Sequence, residues 1–141
     1  MNHINYILGL DVSTAVIGVS VIGGDSKESA ILFTQAIDMR KISNEYLKVD
    51  AAREALEIVH RCYPVTHIFI EEAFKSFGGG GSSASTVSRL ARTNGQISLA
   101  VRDIFQIDPI LLNVNDARKS LGIATLSPKK LAKVVTTLQS M

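Results

Sequence analysis

The sequence predicts an α/β domain: a mixed five-stranded sheet, built from a three-strand antiparallel meander plus parallel strands, flanked by helices. Three observations predict it. The first 37 residues hold three β-rich runs separated by short turn segments. Near residue 44 the apolar period changes from two to between three and four. After that point short apolar runs alternate with helical stretches, the pattern of βα units. A meander followed by βα units gives a mixed sheet with helices on its faces.

Each element has its own local reason. Residues 4–12 (Ile-Asn-Tyr-Ile-Leu-Gly-Leu-Asp-Val) read as a buried strand ending at Asp11, and Ser13-Thr14-Ala15 as a tight turn. Val16 to Ile22 is a second β-rich run, closed by Gly23-Gly24-Asp25. Residues 30–37 form a third, and short links between the three imply antiparallel pairing. Val49, Ala52, Leu56 and Val59 then recur at helical spacing, predicting a helix over 44–62 with Ser43 as N-cap and Pro64 as terminator. Thr66 to Ile70 is a short apolar strand running into Glu71-Glu72. Residues 78–86 are a Gly/Ser loop. A helix over 84–104 follows, with Val87, Leu90, Ala91, Ile97, Val101 and Ile104 on its apolar face. Ile110 to Val114 is the fifth strand, Asn115 caps a short helix through Lys119, and Ser127-Pro128 opens a last helix. In this βββαβαβα order, the fourth and fifth strands lie parallel to the first through right-handed crossovers.

At 141 residues, with 46% hydrophobic and 20% charged, the chain suits a single domain spanning 1–141 with one packed core. Cys62 is the one cysteine, which excludes a disulfide framework and a finger-type zinc site. No stretch is apolar enough to span a bilayer and no secretory leader opens the chain, so no membrane partner and a cytoplasmic setting are expected. Charge is uneven. Residues 1–74 carry 6 Lys/Arg against 10 Asp/Glu, and residues 75–141 carry 9 against 3. An acidic half beside a basic half suits a metal site next to a phosphate-binding surface.

Ligands of such sheets sit at the carboxyl ends of parallel strands, where Asp11 and Glu71 both fall. An acid that ends an apolar strand is costly if merely buried. Two acids on neighbouring strands repel, and a hard cation relieves the conflict. Mg²⁺ (or Mn²⁺) takes oxygen ligands and commonly uses one or two carboxylates plus substrate phosphate. A two-ion arrangement can serve phosphodiester cleavage. Glu72 is a poorer candidate, because adjacent strand residues face opposite ways. The Gly78–Gly81 run lacks the Gly-Lys-Ser/Thr ending of a nucleotide-binding loop, so it fits a flexible loop near nucleic-acid phosphates better.

These residues also carry a resemblance. Ile7 to Ile22, with its apolar strand, Gly-Leu-Asp, small polar turn and Ile-Gly entry to a second strand, resembles the first motif of RuvC-like Holliday junction resolvases, members of the RNase H-like superfamily. Ile68-Phe69-Ile70-Glu71-Glu72-Ala73-Phe74 is similar to their second motif. Ser88 to Ile97 resembles their small-residue helix around a Gly, Val114 to Gly122 their later basic segment, and Ser127-Pro128-Lys129-Lys130 the start of the helix after it. The resemblance implies an RNase H-like fold and a Mg²⁺-dependent endodeoxyribonuclease acting as a homodimer on four-way DNA junctions, of bacterial or phage-like origin. It implies Asp11 and Glu71 as catalytic metal ligands, Lys119 (or Arg118) as the basic residue near the scissile phosphate, and Phe74 as the aromatic at the opened junction. Lys75, Arg89 and Arg92 join Phe74, Arg118 and Lys119 as expected DNA contacts.

One departure stands out. The family closes its site with two aspartates on a final helix, and none of Asp103, Asp108 or Asp116 occupies a matching position. The domain is therefore expected to lack the C-terminal helix bearing the last metal-binding acids, and to bind metal weakly as it stands. Two other readings follow: a catalytically inactive nucleic-acid-binding module of the same fold, and an ATPase- or kinase-type half-domain sharing its core. Gly9-Leu10-Asp11-Val12-Ser13-Thr14 resembles the first phosphate motif of the latter, although no second Asp-Gly segment follows. A small RNA-processing member of the fold is a variant of the nuclease reading.

Overall fold

The structure is a computed structural model and describes residues 4–72, 83–113 and 115–116. Their order is β1 (Asn5–Val12), β2 (Val16–Gly24), β3 (Ser29–Asp38), α1 (Glu45–Cys62), β4 (His67–Glu71), α2 (Ala84–Phe105) and β5 (Ile110–Leu112). The expected helix from Ser127 lies outside the described residues.

The strands form one five-stranded sheet in the order β3-β2-β1-β4-β5. β1 pairs antiparallel with β2, and β2 with β3, which is the predicted meander. β4 lies parallel to β1, and β5 parallel to β4. Alternation along the strands decides which side chains enter the core. Leu8, Leu10 and Val12 of β1, Ile17, Val19 and Val21 of β2, Ile37 of β3, and Ile68 and Ile70 of β4 are all buried. They pack in one cluster with Ala52, Leu56 and Val59 of α1 and Ile97, Val101 and Phe105 of α2. Both described helices therefore cover the same face of the sheet. The opposite face carries the alternate residues, and there the two acids stand.

Several local details depart from the expectations, each for a physical reason. Ser43 does not cap α1. Asn44 does, its Oδ1 accepting from the Tyr46 and Leu47 amides at 2.8 and 3.2 Å. Asn115 is not a cap either: it is already helical, and Asn113 Oδ1 accepts from its amide at 2.9 Å. β2 runs on through both glycines of its expected stop. Gly24 is needed there because a Cβ would collide with the Glu28 carbonyl oxygen across the hairpin. Asp25 then closes that hairpin, accepting from the Lys27 and Glu28 amides at 2.8 Å. β3 bulges opposite Val21 and Ile22, which gives it one extra residue. α2 starts at Ala84, where the helix over 84–104 was expected, with Ser83 as its N-cap, so the Gly/Ser loop ends before residue 84 and not at 86.

The buried face of α2 also differs. Ala91 is exposed and Val87 and Leu90 are half-buried, while Thr93, Asn94, Ala100 and Phe105 join Ile97 and Val101 inside. None of residues 84–92 is buried, so the first half of the helix overhangs the sheet and only its second half packs on it. Gly95 is exposed, and a Cβ there would meet nothing within 4 Å, so no close helix approach requires this glycine.

Candidate metal and nucleic-acid site

β1, β3 and β4 all run in one direction and end on one side of the molecule. The sheet register places the acids there. Ile7 pairs with His67, Leu8 with Ile68, Gly9 with Phe69 and Leu10 with Ile70, each partner lying 60 residues on. One step further the same register aligns Asp11 with Glu71. Leu10 and Ile70 are buried toward the helices, so Asp11 and Glu71 point to the other face, side by side on strands spaced roughly 4.8 Å apart. Both are exposed. Asp11 is the penultimate residue of β1 and Glu71 the last of β4. Glu72 follows the strand end, half-buried, its amide donating to the Leu112 carbonyl at 2.7 Å.

The sheet beside Asp11 is nearly bare. Asp11 pairs with Gly18, and Gly18 with Ala36; one row below, Gly9 pairs with Ser20, and Ser20 with Thr34. These small residues leave a shallow trough of about 650 Å³ along β1, β2 and β3, with Asp11 at its edge and the Ser20 and Thr34 side chains within it.

The turn after Asp11 is held from two sides. Ser13 Oγ accepts from the Val16 and Ala15 amides at 2.9 and 3.3 Å and donates to the Val16 carbonyl at 2.6 Å. From the helix layer, Lys48 Nζ donates to the Thr14 carbonyl at 2.6 Å. The strand end bearing Glu71 is held likewise: Asn94 Nδ2 of α2 donates to the Glu71 carbonyl at 2.9 Å. Neither Lys48 nor Asn94 stands out as a site residue in the sequence. One is an ordinary lysine off the apolar stripe of α1, the other one of two amides within α2, along with Gln96.

Of the expected DNA contacts, Arg89 and Arg92 fall on the overhanging half of α2, near the acid-bearing end. Arg89 shares a small recess with Thr14, Lys48 and Thr93 between the β1–β2 turn and the two helices. Arg92 reaches across to Glu45 at the start of α1, 3.2 Å away. Phe74, Lys75, Arg118 and Lys119 lie outside the described residues. Asp103 and Asp108 sit well away from the pair: Asp103 lies nine residues beyond Asn94 along α2, about 13 Å on. There Arg53 lies 3.8 Å from Asp103, and Arg102 lies 2.8 Å from Asp108. Among the described residues no group of three or more His, Cys, Asp or Glu gathers to hold a metal. The pair itself is a hard oxygen donor set on adjoining strand ends, the kind that suits Mg²⁺ or Mn²⁺ when water and substrate complete the shell.

No model of a known protein family matches the sequence, and no curated protein matches it. Solved structures do. RuvC of T. thermophilus in complex with a Holliday junction substrate is similar over 83% of this chain and 69% of that chain, with a TM-score of 0.64 at 12% identity. A second Thermus thermophilus RuvC structure is similar over 96% of this chain and 80% of that one, with the same TM-score at 13% identity. The likeness is one of fold. This chain has the mixed five-stranded, helix-flanked sheet of the RNase H-like architecture. No helix among the described residues is long and apolar enough to cross a membrane.

Proposed function

We propose that this protein is a metal-dependent, structure-selective endonuclease of the Holliday junction resolvase type, cleaving phosphodiester bonds in branched DNA. The observation that carries the reading is the register placing Asp11 and Glu71 as neighbours on the open sheet face, at the carboxyl ends of parallel strands. The fold shared with a RuvC solved on a Holliday junction supports it.

In this reading Asp11 and Glu71 hold Mg²⁺ or Mn²⁺, which supplies charge neutralisation at the attacked phosphate when bound. The chain's own residues do the rest. The trough floored by Gly9, Gly18 and Ala36 admits a strand to the edge where Asp11 stands. Arg89 and Arg92 on the α2 overhang meet backbone phosphates, which orients the duplex arms without reading their sequence. Lys119, with Arg118, Lys75 and Phe74, completes the contact surface. Two protomers related by a two-fold axis would present two such sites to a junction of matching symmetry.

The test is cleavage of a four-way junction in Mg²⁺ or Mn²⁺, alongside a linear duplex of the same composition. The expected outcome is metal-dependent nicking of the junction that Asp11→Asn and Glu71→Gln each abolish, with junction binding in EDTA unchanged. Cleavage retained in either variant sinks the assignment.

A second reading has one observation in its favour: no group of three acids gathers among the described residues, since Asp38 is bonded to Arg40, and Asp103 and Asp108 are engaged elsewhere. A junction-binding module that does not cut fits that count. The same assay separates the two readings, since such a module retards junction DNA and leaves it intact at every metal concentration.

A further inference from the structure

Thr93 and Asn94 are the buried polar residues among those described, each 7% exposed. Thr93 satisfies its hydroxyl within its own helix, on the Arg89 carbonyl at 3.0 Å. Asn94 does not turn inward on its helix. Its amide leaves the helix layer and donates to the Glu71 carbonyl, 23 residues away in sequence, at 2.9 Å. Asparagine is a poor helix former, so helix propensity gives no reason for it here. A buried amide is costly unless paired, so the bond to Glu71 is what makes this position tolerable.

We infer that Asn94 is a positioning residue that fixes the Glu71 carboxylate beside Asp11. Glu71 is the last residue of β4, and its peptide has two holds: the Glu72 amide donates to the Leu112 carbonyl of the three-residue β5 at 2.7 Å, and the Glu71 carbonyl takes the Asn94 amide. Strand ends open at little cost in free energy. Two like charges a strand spacing apart repel, and that repulsion acts on the end most free to move. A directional N–H···O bond to the Glu71 carbonyl orients that peptide plane. Strand alternation then fixes which way the side chain leaves the backbone. The bond reaches the acid through its backbone carbonyl, from the dry side of the sheet, and so does not itself occupy a carboxylate oxygen. Groups that orient a metal ligand in this way typically matter roughly 10- to 100-fold in metal affinity.

This inference rests on the reading of Asp11 and Glu71 as a metal pair, and its test separates the two. Asn94→Leu keeps the side-chain volume and removes the donor. Val101→Ala, a buried truncation seven residues further along α2, serves as a purely structural control. Two measurements are made on the full chain. Backbone ¹⁵N relaxation dispersion without metal should show new exchange at Glu71 and Glu72 in Asn94→Leu, with Ile68 and Ile70 quiet. The Val101→Ala spectrum should show no exchange at Glu71. Mn²⁺ titration followed by the free-ion resonance signal should show binding at least tenfold weaker in Asn94→Leu and undiminished in Val101→Ala, though both melt at lower temperature. Asn94→Gln, which keeps the donor, should recover part of the affinity. Unchanged dispersion at Glu71 in Asn94→Leu overturns the anchor. Equal Mn²⁺ affinity in Asn94→Leu and wild type overturns its role at the site. Wild-type chain that takes up no Mn²⁺ overturns the metal reading of the pair, and the functional half of this inference with it.

Discussion

Single side chains at the acid-bearing end are committed in ways that composition does not reveal. Asp38, at the end of β3, is bound by its near neighbour Arg40: Nε and Nη2 donate to its two carboxylate oxygens at 2.9 and 2.7 Å, and the Arg40 amide adds a third bond at 3.0 Å. The guanidinium bonds first, and the backbone bond second, hold the Asp38 carboxyl at about 2, below its ordinary value of 3.8. Because the folded value is the lower one, the pair's contribution to stability is present above pH 3.8 and fades as pH falls through about 2. Both groups are exposed, so salt screens the effect and its share of stability is small. A carboxyl ¹³C titration should find the Asp38 midpoint near 2, and Arg40→Ala should return it most of the way to 3.8. A midpoint that stays near 2 in Arg40→Ala would assign the shift to the backbone instead. For the site, the consequence is that Arg40 is already occupied and is a poor donor to an incoming phosphate. Arg89, which makes no ion pair among the described residues, is the better one.

At the scale of elements, what the sequence makes legible is whatever repeats. Period-two alternation marks β1 and β2 because Leu8, Leu10, Val12, Ile17, Val19 and Val21 all enter one core. The spacing of Ala52, Leu56 and Val59 marks α1 for the same reason. Caps do not repeat, and two polar residues in a row leave the choice open: Ser43-Asn44 offers two caps, and backbone geometry selects the second. Asn44→Ala should therefore cost about 1 kcal/mol in denaturant unfolding, and Ser43→Ala close to nothing. The reverse order would return the cap to Ser43. The face of α2 was hidden for a different reason. Its apolar stripe is real, but only the second half of the helix packs on the sheet, so among the described residues Val87 and Leu90 stay half-buried and Ala91 exposed. No pattern within a helix tells how far its partner sheet extends. Asn94 escaped notice on the same ground, since its meaning comes from the strand end it meets.

The molecule as a whole divides its work between two faces. One face of the sheet is a dry layer with both described helices, and from it Lys48 and Asn94 reach up to fix the turn after Asp11 and the end of β4. The other face holds the acids beside small side chains. The distant pairing of Asp11 with Glu71 was legible because topology follows from element order, and element order from periodicity; the anchors beneath the pair were not, since nothing local announces them. The same division gives the charges unequal value. Arg89 lies at the acid-bearing end, beside the turn that follows Asp11, whereas Arg102 lies near the other end of α2, bonded to Asp108. If the acid-bearing end is where DNA backbone arrives, the two arginines must differ in salt dependence and not merely in affinity. Each phosphate neutralised releases counterions and adds roughly 0.9 to the slope of log affinity against log salt. Junction binding measured in EDTA across a salt series should therefore lose about one unit of slope in Arg89→Ala. Arg102→Ala should leave the slope as it is. Binding that weakens equally in both variants, with equal loss of slope, would mean that the protein's positive charge acts as a diffuse field and that DNA does not dock at the end where Asp11 and Glu71 meet.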